Sequence, residues 1–115
     1  MKIVYISGPF RPRQEGNCYE MRQNIRRAEA LALEVWRIGG AALCPHLNTA
    51  NFQGALPDDV WLEGDLEFVK TCDAMIMVEG WEGSEGANIE RDFAFKMGVP
   101  VFYDLRSLDN WLKEH

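Results

Sequence analysis

Two acidic residues of this sequence occupy positions that acids seldom take. Glu90 belongs to the run DAMIMVEGWEGSEGANIERDFAFKMGVP, residues 73–100, which has the pattern of a buried strand, a glycine-rich turn and a helix. Its helical neighbours at i−4, i−3, i+3 and i+4 are Gly86, Ala87, Phe93 and Ala94, a small and apolar face. Asp65 is placed in the same way within a second helical stripe, flanked by Trp61, Leu62, Phe68 and Val69. An acid on an apolar face must find hydrogen bonds, a cation or a raised pKa. Acids held in that state serve nucleophilic and proton-transfer chemistry, so both are candidate reagents. The plainer reading of Asp65 is a cap or an ion-pair partner for an arginine.

The residues around Glu90 suggest what such a reagent would meet. A strand, a glycine turn and a helix N-terminus together form a corner suited to a phosphate or a sugar. Ser84 can cap that helix, and its hydroxyl and the neighbouring backbone N–H groups can also hold a phosphate. Gly86 belongs to the glycine-rich approach that leaves Glu90 open to a substrate. A second loop, Gly8-Pro9-Phe10-Arg11, follows the first strand, and Arg11 and Arg13 in it offer countercharge. Tyr5 on that strand needs a partner for its phenol if buried. His46, just after Pro45, is equally readable as a loop histidine or as part of the site.

These residues require a scaffold that brings distant segments together. Residues 2–7 form a β-branched and aromatic strand ending at Gly8-Pro9. A helix from about residue 18 to 38 keeps the 3.6-residue period through Met21, Ile25, Ala28, Ala32 and Val35, and Gly39-Gly40 ends it. Residues 41–44 are a short strand stopped by Pro45. Residues 45–58 lack periodicity and suit a lid or substrate wall. Asp58 or Asp59 caps a helix reaching about Lys70, with Trp61, Leu62, Leu66, Phe68 and Val69 as its apolar stripe. Strands at 74–79 and 99–103 enclose a helix at 86–97, and a closing helix at 107–114 turns Leu108, Trp111 and Leu112 inward.

That alternation predicts a single α/β domain over residues 1–115, doubly wound and Rossmann-like, its parallel sheet of about four strands covered by helices on both faces. Right-handed crossovers predict the strand order 2-1-3-4. The reversal then lies between the first and third strands, whose carboxyl ends carry the two unusual loops.

Bulk properties narrow the classes of function. With 47% hydrophobic residues and four Trp, the chain has the composition of a folded globular protein. A formal charge of −6 argues against a nucleic-acid polymer as partner. No apolar run approaches the ~20 residues of a membrane span. The immediate entry into a strand leaves no place for a signal peptide, so a cytoplasmic protein is expected. Cys18, Cys44 and Cys72 fit no metal spacing and are expected to be reduced, partly buried thiols; neither a metal nor a cofactor is implied. Nothing here matches GxGxxG, GxxxxGK[ST] or a nucleophile elbow.

Three segments together resemble the nucleoside 2-deoxyribosyltransferase family in its broad sense, which includes N-glycosidases of nucleoside 5′-monophosphates. The run VYISGPFR, residues 4–11, is similar to the family's first strand and loop, whose tyrosine, here Tyr5, lines the base pocket. WLEGDL, residues 61–66, resembles the segment bearing its aspartate, here Asp65. GANIERDFAFKMGVPV, residues 86–101, resembles its nucleophile helix, with Glu90 at the nucleophile position. The resemblance covers most of the chain. Transferases of the family carry an acid six positions before the nucleophile to bind sugar hydroxyls, whereas this chain has Ser84 there, as the monophosphate N-glycosidases do. A hydroxyl at a helix N-terminus attracts phosphate and a carboxylate repels it.

The resemblance therefore implies an N-glycosidase or N-(deoxy)ribosyl transferase acting on a nucleoside 5′-monophosphate. Glu90 would be the nucleophile, Asp65 would protonate or orient the departing base, and Tyr5 would shape the base side. Gly8, Phe10, Arg11, His46, Ser84 and Gly86 would bind substrate. A homodimer or higher homo-oligomer is implied as well, because family members complete the site from a neighbouring subunit and the short C-terminus shows no counterpart. Alternatives are transfer between free nucleosides, a nucleotide-binding module without turnover, and a scaffold assembling through exposed Trp residues.

Overall fold

The structure, a computed structural model, describes residues 1–115. Four strands, β1 (Ile3–Ser7), β2 (Ala41–Leu43), β3 (Ala74–Met77) and β4 (Val101–Phe102), pair in parallel in the order β2-β1-β3-β4. This is the order that right-handed crossovers predict. Helices α1 (Cys18–Arg37) and α5 (Leu105–Glu114) cover one face, and α3 (Asp58–Thr71) and α4 (Glu85–Lys96) the other. No helix is long and apolar enough to cross a membrane.

The period-2 alternation of the central strands sorts the core into two layers. Val4 and Ile6 of β1, with Ala74 and Ile76 of β3, pack under Ala28, Ala32 and Val35 of α1 and Leu108 of α5. Tyr5, Met75 and Met77 point the other way, toward Val69 of α3 and Ala87 and Ala94 of α4. Ser7 shares that second face and is wholly buried. Parallel strands covered on both sides are buried throughout, which is why β3 is a continuous apolar run.

Several local expectations are corrected. The segment expected to be irregular after Cys44 begins with a short helix, α2 (Pro45–Asn48), because Pro45 stands at its first position, where a missing N–H costs nothing. Neither Asp58 nor Asp59 caps α3; the cap position is Pro57, and both acids lie in the first turn. Phe68 falls outside the packed stripe of α3 and is exposed, as is Cys18 at the start of α1. Helix α5 starts two residues early because Asp104 caps it, its Oδ1 accepting the Ser107 N–H at 2.7 Å. Trp81 and Trp111 are half-buried against Tyr103 and Phe102, which leaves Trp36 as the exposed tryptophan.

The chains of β1 and β3 stay close to their carboxyl ends, where the Val78 N–H donates to the Ser7 carbonyl at 2.7 Å. Gly8 is the residue that permits this. A Cβ there would stand 2.5 Å from Val78 Cβ, well inside contact. Just beyond these ends Gly8 and Gly80 line the crevice in which ligands of open α/β sheets bind.

Candidate functional site

The crevice is a cavity of about 510 Å³ bordered by the β1 loop, α2, the first turns of α3 and the turn leading into α4. Gly8, Phe10, Arg11, His46, Asp65, Ser84, Gly86 and Glu90, each singled out from the sequence, all line it. Tyr5 does not, because its ring is buried in the core behind Glu90.

Glu90 projects from α4 on the same face as Ala87 and Ala94, so helical periodicity carries it toward the sheet. It is 6% exposed. Both carboxyl oxygens are held from β1, with Tyr5 Oη donating to Oε2 at 2.8 Å and Ser7 Oγ donating to Oε1 at 2.7 Å. The two donors lie two residues apart on one strand, which places both on the α4 side. Burial raises the Glu90 carboxyl from 4.5 to about 7; the Ser7 and Tyr5 hydroxyls act against that rise, and Asp65 adds to it. Burial, followed by the Glu90 charge, holds the Tyr5 phenol well above its ordinary value, so it remains a proton donor.

Asp65 resolves the question its neighbours posed. It forms no ion pair, so the plainer reading as an arginine partner does not hold. Burial alone raises its carboxyl to about 6. Trp61 and Leu62 of the preceding turn border the same cavity and provide that apolar setting. The site thus holds two acids from separate helices, each shifted toward neutrality by burial, with the Asp65 charge adding to the rise of Glu90. Between about pH 6 and pH 7 such a pair shares a proton, which rests on Glu90 more than on Asp65.

The opposite wall is built for hydrogen-bond donation. Ser84 caps α4, its Oγ accepting the Ala87 N–H at 3.2 Å, which leaves the hydroxyl proton available. The N–H groups of Glu85 and Gly86 have no backbone acceptor and border the cavity. Asn88 fixes this turn from within, its Nδ2 donating to the carbonyls of Ser84 at 2.8 Å and Glu82 at 3.1 Å. Gly80 enters the turn at φ +90°, a conformation that suits glycine.

His46 is a brace for the first loop. It is buried, lies edge-on to Phe10 at 5.8 Å, and its Nε2 sits 2.9 Å from the Pro9 carbonyl. Since the carbonyl can only accept, Nε2 carries the proton; burial lowers the ring pKa and keeps it neutral. Arg11 and Asp58 both line the cavity and pair at 3.2 Å, and Arg13 is paired with Glu20 at 3.1 Å.

Two participants escaped the sequence reading. Ser7 reads as an ordinary strand residue, although its i+2 relation to Tyr5 places both on one face of β1. Asn24, buried on α1, donates to the carbonyls of Phe10 and Arg11 and so ties the first loop down. A polar residue within the α1 stripe was the sign available for it.

Residues 2–103 match the family described as a domain of unknown function (DUF4406), and the chain belongs to that family. No curated protein matches it.

Proposed function

We propose that this member of the family cleaves the N-glycosidic bond of a nucleoside 5′-monophosphate, as a hydrolase or as a transferase to a second base. The observation that carries the reading is the pairing in one cavity of a buried Glu90, oriented by two hydroxyls, with a desolvated Asp65 from another helix.

The reacting form is the minor arrangement of that pair, with the proton on Asp65 and the Glu90 carboxylate held by Tyr5 and Ser7, and in it Glu90 attacks the anomeric carbon. The bond to the base breaks, an ester to Glu90 forms, and Asp65 delivers its proton to the departing nitrogen. Water then attacks the same carbon, Asp65 takes up its proton, and the ester breaks to release sugar phosphate and restore Glu90. A second base in place of water would give transfer. Tyr5 and Ser7 hold the nucleophile against rotation and favour its ionised form. Ser84 and the free N–H groups of the first α4 turn receive the phosphate, which anchors the sugar over Glu90. Resemblance to the deoxyribosyltransferases supports these roles, a small-molecule nucleotide substrate and a homo-oligomeric assembly.

A second reading is a nucleotide-binding module without turnover, favoured by the fact that protein hydroxyls already satisfy both oxygens of Glu90. Incubation with a panel of nucleoside 5′-monophosphates, with and without an acceptor base, and chromatography for free base separates the two. Base release by the wild type and none by a folded Glu90→Ala variant is the expected result. Thermal stabilisation by a nucleotide without base release establishes the binder, and turnover retained in Glu90→Ala removes Glu90 as nucleophile.

A further inference from the structure

Three arginines border the cavity, Arg11, Arg13 and Arg27, and they are not equivalent. Arg11 is committed to Asp58 and Arg13 to Glu20. Arg27 touches no carboxylate, and its charge acts on Glu20, the partner of Arg13, only from beyond contact distance. Its one side-chain partner is a neutral oxygen, Asn24 Oδ1, which accepts from Nη2 at 2.6 Å.

Asn24 makes that contact rigid. It is 3% exposed, and its Nδ2 donates to the Phe10 and Arg11 carbonyls at 3.2 and 3.3 Å, so the amide has one permissible orientation, with Oδ1 toward the guanidinium. A guanidinium anchored at one nitrogen keeps its remaining N–H groups for a ligand and loses little freedom on binding. Position separates the arginines further. Arg27 also borders the neighbouring groove made by Met77, Val78 and Glu79, the segment that runs directly into the Gly80–Ser84 turn. Arg11 is fastened at the other end, on the first turn of α3, the helix that bears Asp65.

We propose that Arg27 is the residue that recognises the anionic group of the substrate and selects nucleotide over nucleoside, while Arg11 serves to clasp the β1 loop to α3. This rests on the nucleoside monophosphate reading above. Arg27 approaches the phosphate from α1, Ser84 and the free N–H groups approach it from α4, and the Arg27 fork supplies the charge.

The test measures binding, so it does not depend on turnover. Adenosine, guanosine, cytidine and uridine and their 5′-monophosphates are titrated by calorimetry into the wild type and into Arg27→Gln and Arg11→Gln variants. The wild type is expected to prefer monophosphates. Loss of one charge-assisted fork should weaken monophosphate binding about tenfold or more in Arg27→Gln, with nucleoside binding unchanged within about twofold. Arg11→Gln should lose less. Arg27→Lys, which keeps the charge without the fork, should fall between wild type and Arg27→Gln, and it replaces Arg27→Gln if that variant fails to fold.

Equal loss of nucleoside and nucleotide, a larger loss in Arg11→Gln, or a wild type indifferent to phosphate overturns the proposal. Selective loss in Arg27→Gln from a wild type that releases no base upholds it while removing the glycosidase reading. Base release that persists with an unaltered KM for monophosphate in Arg27→Gln does the reverse.

Discussion

Replacing Glu90 by Gln should stabilise this protein at alkaline pH while abolishing its chemistry. The folded carboxyl is raised from 4.5 to about 7, chiefly by burial. Below about pH 4.5 folded and unfolded chains both hold the proton, and the group takes nothing from stability. As pH rises toward 7 the unfolded chain gives the proton up first, so stability is lost until the folded carboxyl has also ionised. A rise of that size corresponds to roughly 3 kcal/mol, most of which falls between pH 5 and pH 8. Glutamine is nearly isosteric with the protonated acid, and the Ser7 and Tyr5 hydroxyls can still bond it. The variant should therefore gain on the wild type by roughly 2 to 3 kcal/mol on going from pH 5 to pH 8, or about 10 °C in unfolding midpoint. Urea unfolding at both pH values, followed by circular dichroism under reducing conditions, reads this difference directly. Asp65 titrates in both proteins and largely cancels. A stability difference that is the same at pH 5 and pH 8 would refute the claim that burial, and not its hydroxyl partners, dominates the environment of Glu90.

Three further outcomes follow from the same geometry. Ser7→Ala removes a hydroxyl that stabilises the ionised Glu90, so the acidic limb of the pH–rate profile should move up by about one pH unit, with little change on the plateau. Asp65→Asn should lower kcat/KM about 100-fold or more and erase the inflection near pH 6, with a smaller loss on substrates whose leaving group needs no proton; equal losses on both substrates would remove the assigned acid. Gly8→Ala must displace Val78 and should cost about 1–3 kcal/mol in thermal unfolding, whereas Gly86→Ala, with open space around it, should cost no stability.

The order of the strands, the two core faces and the inward turn of Glu90 and Asp65 were all readable from the amino acids alone. Each is a consequence of periodicity, 2 for a strand and 3.6 for a helix, together with the handedness of crossovers. Partners across the fold were not readable in that way. Tyr5 and Ser7 meet Glu90 from 85 and 83 residues away, and only the packing of α4 on the second face of β1 brings them within hydrogen-bond distance. The same holds for Arg11, which looks in sequence like the cation nearest the ligand loop yet is engaged by Asp58. Arg27 looks like one more charge on a helix, but the folded chain places it at the edge of the cavity bonded to an amide oxygen and in contact with no carboxylate. Periodicity specifies which way a side chain faces, because that follows from backbone geometry local to its own element. What it then faces depends on the register and packing of elements far apart in the chain, and that is a property of the tertiary structure alone.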